Sequence, residues 1–485
     1  MIMSDELNKL YPGSLWSIFS DICTIPHPSG HEAALRDFLK SMAEDAGLKS
    51  VVDKAGNMLI EKPAFPGMEK HKTIILQSHL DMVPQKNSDI KFDFTKDPVK
   101  THIDGDMVIA EHTTLGADNG IGVAAMMALL LDKDIPHGPL KALFTVEEET
   151  GLRGADKLSP GFLEADVLIN LDSEEEHRVF VGCAGGLRSN HEFAAEYESA
   201  PPRNSAMTIR VSGLKGGHSG CDINSGRANS LKLLAEILSA AEDRFGLKLA
   251  DIHGGNLDNA IPREAFATVL MPFSSTDEFA DFAAGFEVEK VQLFGRAEPN
   301  LHIQLICVRA PDRIFTADFQ RRLLKSLNDC PNGVVAMSEA FPGIVETSTN
   351  LAAVKNEHGK IIIRTSQRSS KADSKKQLAD RICDIFAATG AVCTEDCEYP
   401  GWEPKPDSSI LKTFIEVHKD ISGNEPDVVV IHAGLECGII HAINPGLDMI
   451  SFGPEIRNAH SPDECVSIPS VARFWNLLLK LLKTA

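Results

Sequence analysis

An apolar run ends in polar, metal-ligating side chains in the stretch Thr73-Ile-Ile-Leu-Gln-Ser-His79-Leu-Asp81. A nearly continuous run of this kind is typical of a central parallel strand, which is buried on both faces. Similar runs follow at 140–146 and 166–171, and a buried helix is predicted over 120–132. Because strands and helices alternate, we predict an α/β domain with a mostly parallel central sheet covered on both faces.

The pattern changes near Gly182-Cys-Ala-Gly-Gly186. The region beyond it predicts strands and helices in an order that suggests helices on an antiparallel sheet, with strands at 206–211, 265–271, 301–308 and 361–365 and helices at 229–245, 277–286 and 375–388. The Pro- and Gly-rich stretch 399–406 cannot continue a helix or a central strand, and the alternating pattern resumes after it. We therefore predict a discontinuous domain of residues 1-186 and 400-485, interrupted by an inserted α+β lid domain of residues 187-399.

Composition excludes several classes of function. The formal net charge of -21 would repel a phosphate backbone, so no nucleic-acid partner is expected. The longest apolar stretch, 121–131, is too short to span a bilayer, and the start of the chain lacks a basic segment followed by an apolar one. Ten cysteines are scattered without a zinc-ribbon spacing. These features predict a cytoplasmic protein with no membrane partner.

Five metal-ligating side chains follow or flank apolar runs: His79, Asp118, Glu149, Asp172 and His460. In an open α/β sheet, residues just beyond the carboxyl ends of different strands converge although they are distant in sequence. Two imidazoles and three carboxylates suit two zinc ions, which would lower the pKa of a bound water from about 15.7 towards about 7. The pattern therefore predicts a two-metal hydrolase with a metal-bridged hydroxide as nucleophile.

Two further carboxylates have candidate catalytic roles. Asp81 lies two residues beyond His79, close enough to orient its imidazole. Glu148 precedes Glu149, and because neighbouring side chains diverge, it can face water and substrate as a general base. Taken singly, these acidic residues are more often solvated loop residues or helix caps. Their joint order favours the catalytic interpretation.

The five ligand segments, in this order, resemble the dizinc metallopeptidase family that includes carboxypeptidase G, aminoacylase and the aminotripeptidases. The similarity extends over the whole chain through long, specific runs, namely His79-Leu-Asp-Met-Val-Pro-Gln-Lys-Asn, Thr113-Thr-Leu-Gly-Ala-Asp-Asn-Gly-Ile-Gly, Gly213-Leu-Lys-Gly-Gly-His-Ser-Gly, Asn259-Ala-Ile-Pro-Arg-Glu-Ala-Phe-Ala-Thr and Ile431-His-Ala-Gly-Leu-Glu-Cys-Gly.

This resemblance implies two Zn²⁺ ions per chain, with Mn²⁺ or Co²⁺ as possible substitutes. It implies that Asp118 bridges the ions, that His79 and Asp172 bind one of them, and that Glu149 and His460 bind the other. It also implies a cis Asp118-Asn119 peptide bond. Asp81 and Glu148 are the catalytic residues by the same resemblance.

The resemblance further implies a dipeptide substrate with a free amino group and, more narrowly, cleavage of Xaa-His dipeptides. It also implies a homodimer formed through the lid domain. His218 would polarise the scissile carbonyl. Asn259 and Arg368, preferred over Arg364, would hold the substrate carboxylate. Glu436 would receive the amino group.

Two alternatives stay open at the level of sequence. A deacylase of the same family would act on acylated amino acids, whose blocked nitrogen has no charge to pair with Glu436. A catalytically silent metal-binding protein is the other alternative, although a complete ligand set together with Glu148 disfavours it.

Overall fold

The computed structural model describes residues 4–485, and these form two compact units. The first unit contains the described residues up to 182 together with Trp402–Val430 and Leu435–Ala485. The second unit contains Cys183–Gly401 and Ile431–Gly434. The domain boundaries of 1-186 with 400-485 and of 187-399 stay a prediction.

The secondary structure follows the chain in three parts. The first part contains α1 (Ser4–Leu7), α2 (Gly13–Cys23), α3 (Ala33–Asp45), β1 (Lys49–Val52), β2 (Met58–Lys62), β3 (Ile74–His79), β4 (Thr101–Asp104), β5 (Met107–Ala110), α4 (Ala117–Leu131), β6 (Leu140–Thr145), α5 (Arg153–Asp156), a 3-10 helix (Pro160–Leu163), β7 (Val167–Asn170) and β8 (Arg178–Cys183).

The middle part contains β9 (Gly185–Ala194), β10 (Tyr197–Ser199), β11 (Asn204–Ser212), β12 (Gly217–His218), α6 (Ser230–Phe245), β13 (Lys248–Gly254), β14 (Ala260–Ile261), β15 (Ala265–Pro272), α7 (Thr276–Phe294), β16 (His302–Cys307), β17 (Arg313–Phe315), α8 (Ala317–Asp329), β18 (Gly333–Met337), β19 (Val345–Glu357), β20 (Lys360–Ser369), α9 (Ala372–Ala387) and β21 (Val392–Tyr399), with 3-10 helices at Phe273–Ser275 and Gly295–Ala297.

The last part contains α10 (Ser409–Ser422), β22 (Asp427–Ile431), α11 (Glu436–Ile443), β23 (Asp448–Ser451), β24 (Ile456–Arg457), β25 (Cys465–Ser467) and α12 (Ile468–Thr484). Among the described residues, no helix has both the length and the apolar character needed to cross a membrane.

The first unit is built on an eight-stranded sheet with the strand order β1-β2-β6-β3-β7-β23-β8-β22. The central strands β6, β3, β7 and β23 run parallel, and antiparallel strands flank them. All six residues of β3 and all four of β7 are buried, as the apolar runs predict. Because the central strands are parallel, their carboxyl ends lie at the same edge of the sheet.

Helix α4 is buried on nearly every side and packs against β3. Gly122 permits this close approach, because a Cβ atom there would lie 2.9 Å from the Leu171 carbonyl oxygen and would overlap Ser78 Oγ. The helix therefore rests directly on the strands that end in the predicted ligands.

The loop that leads into α4 is held by the buried carboxylate of Glu464. Its Oε2 accepts the backbone N–H groups of Leu115 at 2.8 Å and Gly116 at 3.1 Å, and its Oε1 accepts those of Ala117 at 2.8 Å and Asp118 at 3.3 Å. One side chain near the end of the chain thus fixes the backbone that carries the predicted bridging ligand.

The second unit has an antiparallel sheet with the strand order β16-β11-β15-β13-β19-β20-β9-β21, and β18 pairs with β19. Helices α6, α8 and α9 pack on it around a core that includes Leu234, Phe319 and Phe386. The observed architecture confirms the predicted fold class, an α/β domain with parallel central strands interrupted by an α+β insertion.

Replacing the Glu464 carboxylate by an amide should destabilise the first unit. In Glu464→Gln, one oxygen can accept only part of the four backbone N–H groups, and each buried donor left unpaired costs about 1–3 kcal/mol. We expect the free energy of unfolding to fall by about 2 kcal/mol or more, measured by urea denaturation with tryptophan fluorescence. The three tryptophans, Trp16, Trp402 and Trp475, all lie in the first unit and report on it.

The matched control is Asp463→Asn, which makes the same chemical change at the exposed neighbouring position. Surface changes of this kind stay within about 0.5 kcal/mol. Equal stability of the two variants would contradict the role of Glu464.

Candidate active site

A histidine and an aspartate at the carboxyl ends of two parallel strands meet an aspartate from the first turn of α4 in the first unit. His79 is the last residue of β3 and is almost fully buried. Its Nε2 lies 3.1 Å from Asp118 Oδ1 and 3.1 Å from Asp172 Oδ1. Asp172 follows β7, and Asn119 donates its side-chain N–H to Asp172 Oδ1. These three ligating groups form one compact set.

A second set shares Asp118 with the first. His460 Nε2 lies 3.1 Å from Asp118 Oδ2 and 2.9 Å from Glu149 Oε1. In each set the ligating atoms lie within 4.8 Å of one another. The two oxygens of Asp118 therefore point to different histidines. The Asp118-Asn119 peptide bond is cis, as the resemblance implied.

The donor atoms fit divalent cations. Glu149 Oε1 is buried and accepts no hydrogen bond from the described residues, although His460 Nε2 is close. Burial lowers the pKa of His79, but the carboxylates of Asp172 and Asp118 outweigh it and raise that pKa well above its usual range. The neighbouring carboxylates of Asp118 and then Glu149 raise the pKa of His460 to about 11. The negative charge of the cluster thus attracts protons, as it would attract metal ions.

Asp81 makes contacts on two sides. The His79 Nδ1 atom lies 3.0 Å from the Asp81 backbone oxygen and 3.6 Å from its Oδ1. The carboxylate also accepts the backbone N–H groups of Glu148 at 3.0 Å and Glu149 at 3.2 Å, and the Ser29 hydroxyl at 2.8 Å. Asp81 therefore contacts the imidazole, as the sequence suggested, and also holds the acidic loop after β6.

The three neighbouring glutamates of the acidic loop, Glu147, Glu148 and Glu149, have different surroundings. Glu147 is held through its backbone N–H by Glu32 Oε1 at 3.1 Å, and its side chain pairs with Arg153 at 3.1 Å. Glu149 joins the ligand set. Burial and then the charges of Asp172 and other carboxylates raise the pKa of Glu148 well above its usual range. A carboxylate with a raised pKa beside a metal-ligating cluster is suited to proton transfer.

Glu436 lies close to the cluster. Its exposed fraction is only 1%, which is low for a residue expected to bind a substrate. Its Oε2 accepts hydrogen bonds from Gln77 Nε2 at 2.6 Å and Thr145 Oγ1 at 2.8 Å. Its Oε1 accepts none from the described residues. Burial raises the pKa of Glu436 to about 7. One buried oxygen thus remains available to a cationic group.

His218 lies in the second unit, on the short strand β12, which pairs with β14. Its Nδ1 accepts the backbone N–H groups of Gly220 at 3.2 Å and Cys221 at 3.0 Å. Burial, followed by the charge of Arg368, lowers the pKa of His218, so the ring is neutral. A neutral ring that accepts at Nδ1 carries its proton on Nε2, which is then a hydrogen-bond donor.

The two predicted carboxylate-binding residues have different surroundings in the second unit. Arg368 is buried, and it donates to Tyr399 Oη at 2.8 Å and to Ser219 Oγ at 3.4 Å. Asn259 is exposed, and its backbone oxygen accepts the N–H of Ser219 at 2.8 Å. Ser219 therefore links Asn259 and Arg368. Arg364, the less favoured alternative, lies 3.7 Å from Asp258.

Within each unit, several residues that hold the backbone or the predicted site residues were not predicted from the sequence. Glu464 and Glu32 bind backbone N–H groups, and Tyr399 binds Arg368. His432 bonds to Ser348 Oγ at 2.7 Å within the second unit. Glu464 stands four residues after His460, but nothing in the sequence marks it as a buried backbone acceptor.

Known proteins are similar to this chain in sequence and in fold. Residues 75–484 match the model of "Peptidase family M20/M25/M40". The chain is 41% identical to the cytosol non-specific dipeptidase of Escherichia coli (strain K12) over 478 residues, which cover 99% of each chain. It is also similar to the crystal structure of aminoacylhistidine dipeptidase from Vibrio alginolyticus, with a TM-score of 0.96 and 42% identity over 99% of this chain and 98% of that one.

A more distant structure shares the fold alone. The tripeptidase from Staphylococcus aureus is 17% identical, with a TM-score of 0.56 over 98% of both chains. The family membership that the ligand segments indicated is confirmed by the family match and by the two similar dipeptidases. By its sequence over most of its length, the chain belongs to peptidase family M20/M25/M40.

Proposed function

We propose that this chain is a dinuclear-metal dipeptidase that hydrolyses unblocked dipeptides, with Xaa-His dipeptides as the preferred type. The observation that carries the proposal is the pair of ligand sets that share Asp118, with Glu148 beside them. The names of the two similar dipeptidases support the substrate class. A cytoplasmic location and a homodimer stay predictions.

The proposed metals are two Zn²⁺ ions, with Mn²⁺ or Co²⁺ as substitutes. His79 and Asp172 would hold one ion, Glu149 and His460 the other, and Asp118 both. When bound, such cations supply Lewis acidity, which lowers the pKa of a water and polarises a carbonyl. The mixture of imidazole and carboxylate donors is compatible with all three metals.

Proton transfer is the proposed task of Glu148. It takes a proton from the attacking water and gives it to the leaving amine. Burial raises the pKa of Glu148, so the carboxylate is a better proton acceptor than an exposed one. Asp81 fixes the backbone of Glu148 and the ring of His79, so it positions the base and a ligand together.

Substrate recognition is the proposed task of four other residues. His218 would donate its Nε2–H to the oxygen of the scissile carbonyl, where negative charge develops. Arg368 and Asn259 would bind the substrate carboxylate. Glu436 would pair its free Oε1 with the substrate ammonium group, which would supply the partner that this buried oxygen otherwise lacks.

Removing the charge of Glu148 should abolish most turnover without removing the metals. We expect Glu148→Gln to lower kcat for an unblocked Xaa-His dipeptide by about 10²- to 10⁴-fold, the usual contribution of a general acid and base. Steady-state kinetics measure the rate, and atomic absorption measures the metal content.

The matched control is Glu147→Gln, because the Glu147 side chain points to Arg153 and not into the ligand sets. The control should keep wild-type kcat. Normal turnover in Glu148→Gln would refute the role of the base, and loss of metal from that variant would reassign Glu148 to the ligand set.

The free amino group of the substrate should decide reactivity. We expect the metal-loaded protein to cleave an unblocked Xaa-His dipeptide and to act poorly on its N-acetyl form and on a tripeptide. Glu436→Gln should lower kcat/KM for the unblocked dipeptide by about tenfold or more, because a hydrogen bond to a charged group contributes about 1.5–3 kcal/mol. The small activity on the acetylated form should not change.

Assays of the three substrates with wild type, Glu436→Gln and Glu147→Gln separate the possibilities. Preference for the N-acetyl substrate would make the protein a deacylase and overturn the dipeptidase proposal. An equal loss on both substrates in Glu436→Gln would show that Glu436 supports the site rather than the substrate ammonium.

A further inference from the structure

A separate group of metal-ligating side chains lies in the second unit. His191 is on β9, Cys393 is on the edge strand β21, and Cys383 is on α9. His191 and Cys393 face each other across the antiparallel pair of strands. One ligating atom from each of the three residues lies within 4.8 Å of the others. We refer to these three residues as the thiol cluster.

The imidazole of His191 is fixed with one nitrogen directed at the thiols. Its Nδ1 lies 3.2 Å from Cys393 Sγ, and its Nε2 lies 3.1 Å from Thr365 Oγ1. The ring stacks on Phe386 at a centroid distance of 4.0 Å and is fully buried. Burial lowers the pKa of His191 to about 4, so the ring is neutral. In the tautomer with its proton on Nε2 towards Thr365, the ring presents the Nδ1 lone pair to the cysteines.

This arrangement has the features of a histidine ligand in a metal site. Metal-bound histidines commonly donate their other ring N–H to a neighbouring oxygen, which fixes the tautomer and the orientation of the ring. Thr365 provides that oxygen, and the stacked Phe386 ring prevents rotation. The fixed nitrogen would need no rearrangement to bind a cation.

Both cysteines are free and half-buried. Cys393 Sγ donates to the Cys383 backbone oxygen at 3.4 Å. Burial, followed by the neighbouring Cys383, raises the pKa of the Cys393 thiol to about 12. A protonated thiol is a poor nucleophile, which disfavours oxidation of the pair to a disulfide. A metal ion can still displace these protons, because thiolates are strong ligands for soft and borderline cations.

We propose that His191, Cys383 and Cys393 bind one thiophilic divalent cation, with Zn²⁺ as the natural occupant. Tetrahedral zinc takes sulfur ligands at about 2.3 Å and nitrogen at about 2.0–2.1 Å, and these lengths fit within the span of the cluster. Two thiolates neutralise the charge of the ion. The fourth position is left to water, since both cysteines are partly exposed. The ion would join α9 to the edge strand β21.

The ligand chemistry separates this site from the candidate active site. The proposed active-site ligands offer only nitrogen and oxygen, whereas the thiol cluster offers two sulfur atoms. A thiolate-to-metal charge-transfer band therefore reports on sulfur ligation even while the active site is also filled. The inference does not depend on the proposed dipeptidase activity, which can fail without affecting this band.

The test is a Co²⁺ titration of the reduced, metal-depleted, full-length protein, followed by absorption spectroscopy. We expect a thiolate-to-Co²⁺ band that saturates at one sulfur-bound ion per chain and disappears when Zn²⁺ is added. Cys383→Ser and Cys393→Ser should each weaken binding by more than the about 10- to 100-fold that loss of an outer-shell partner costs. Cys397→Ser changes an exposed cysteine on the same strand and should keep the band.

A second measurement needs no variant and covers the case in which a serine variant fails to fold. In the wild-type protein, added Zn²⁺ should slow alkylation of Cys383 and Cys393, while exposed Cys307 and Cys397 react at an unchanged rate. Peptide mass spectrometry measures each rate. The proposal is overturned by the absence of a sulfur band, by a band that persists in both cluster variants, or by a Cys383–Cys393 disulfide in place of metal binding.

Discussion

The first unit depends on a concentration of carboxylates, most of them partly buried, that outnumber the histidines placed among them. Asp118, Glu149 and Asp172 surround two histidines, and Glu148 and Glu436 lie near them. Burying unpaired charges is costly unless protons or metal ions compensate them. The upward shifts in the pKa of His79 and Glu148 are two expressions of this imbalance. A fold that keeps such a cluster is built for cations, and its chemistry follows from that requirement.

In this fold, the strands position the side chains of the cluster, and a different set of residues holds the backbone of the loops. Parallel strands deliver ligands to one edge of the sheet, which explains how His79 and Asp172 meet although they are far apart in sequence. Other carboxylates restrain the backbone between the strands. Asp81 and Glu32 bind three consecutive amides of the acidic loop, those of Glu147, Glu148 and Glu149.

The sequence revealed the parts of this design that follow periodicity or a known motif. Apolar runs predicted the central strands β3, β6 and β7, and the polar residues after them predicted the cluster. The roles of Glu464 and Glu32 could not be predicted, because both bind backbone amides. The sequence around a single glutamate does not indicate which loop its side chain will contact. The burial of Glu436 could not be predicted either, because it depends on contacts with Gln77 of β3 and Thr145 of β6. The sequence prediction also missed helix α8, which is amphipathic, and the long strand β19, which is mostly buried.

The position of Glu464 has a consequence for which ions the first unit can accept. The amide groups at the start of a helix form a region of partial positive charge that commonly binds phosphate or other anions. In α4 the amides of Ala117 and Asp118, which precede a kink at Asp118 and Asn119, are already bound by the Glu464 carboxylate. The side chain of Asp118 faces the two histidines instead, and the amides of Ala117 and Asp118 are not available to an incoming anion. The Glu464 side chain thus takes the position that an external anion would otherwise occupy.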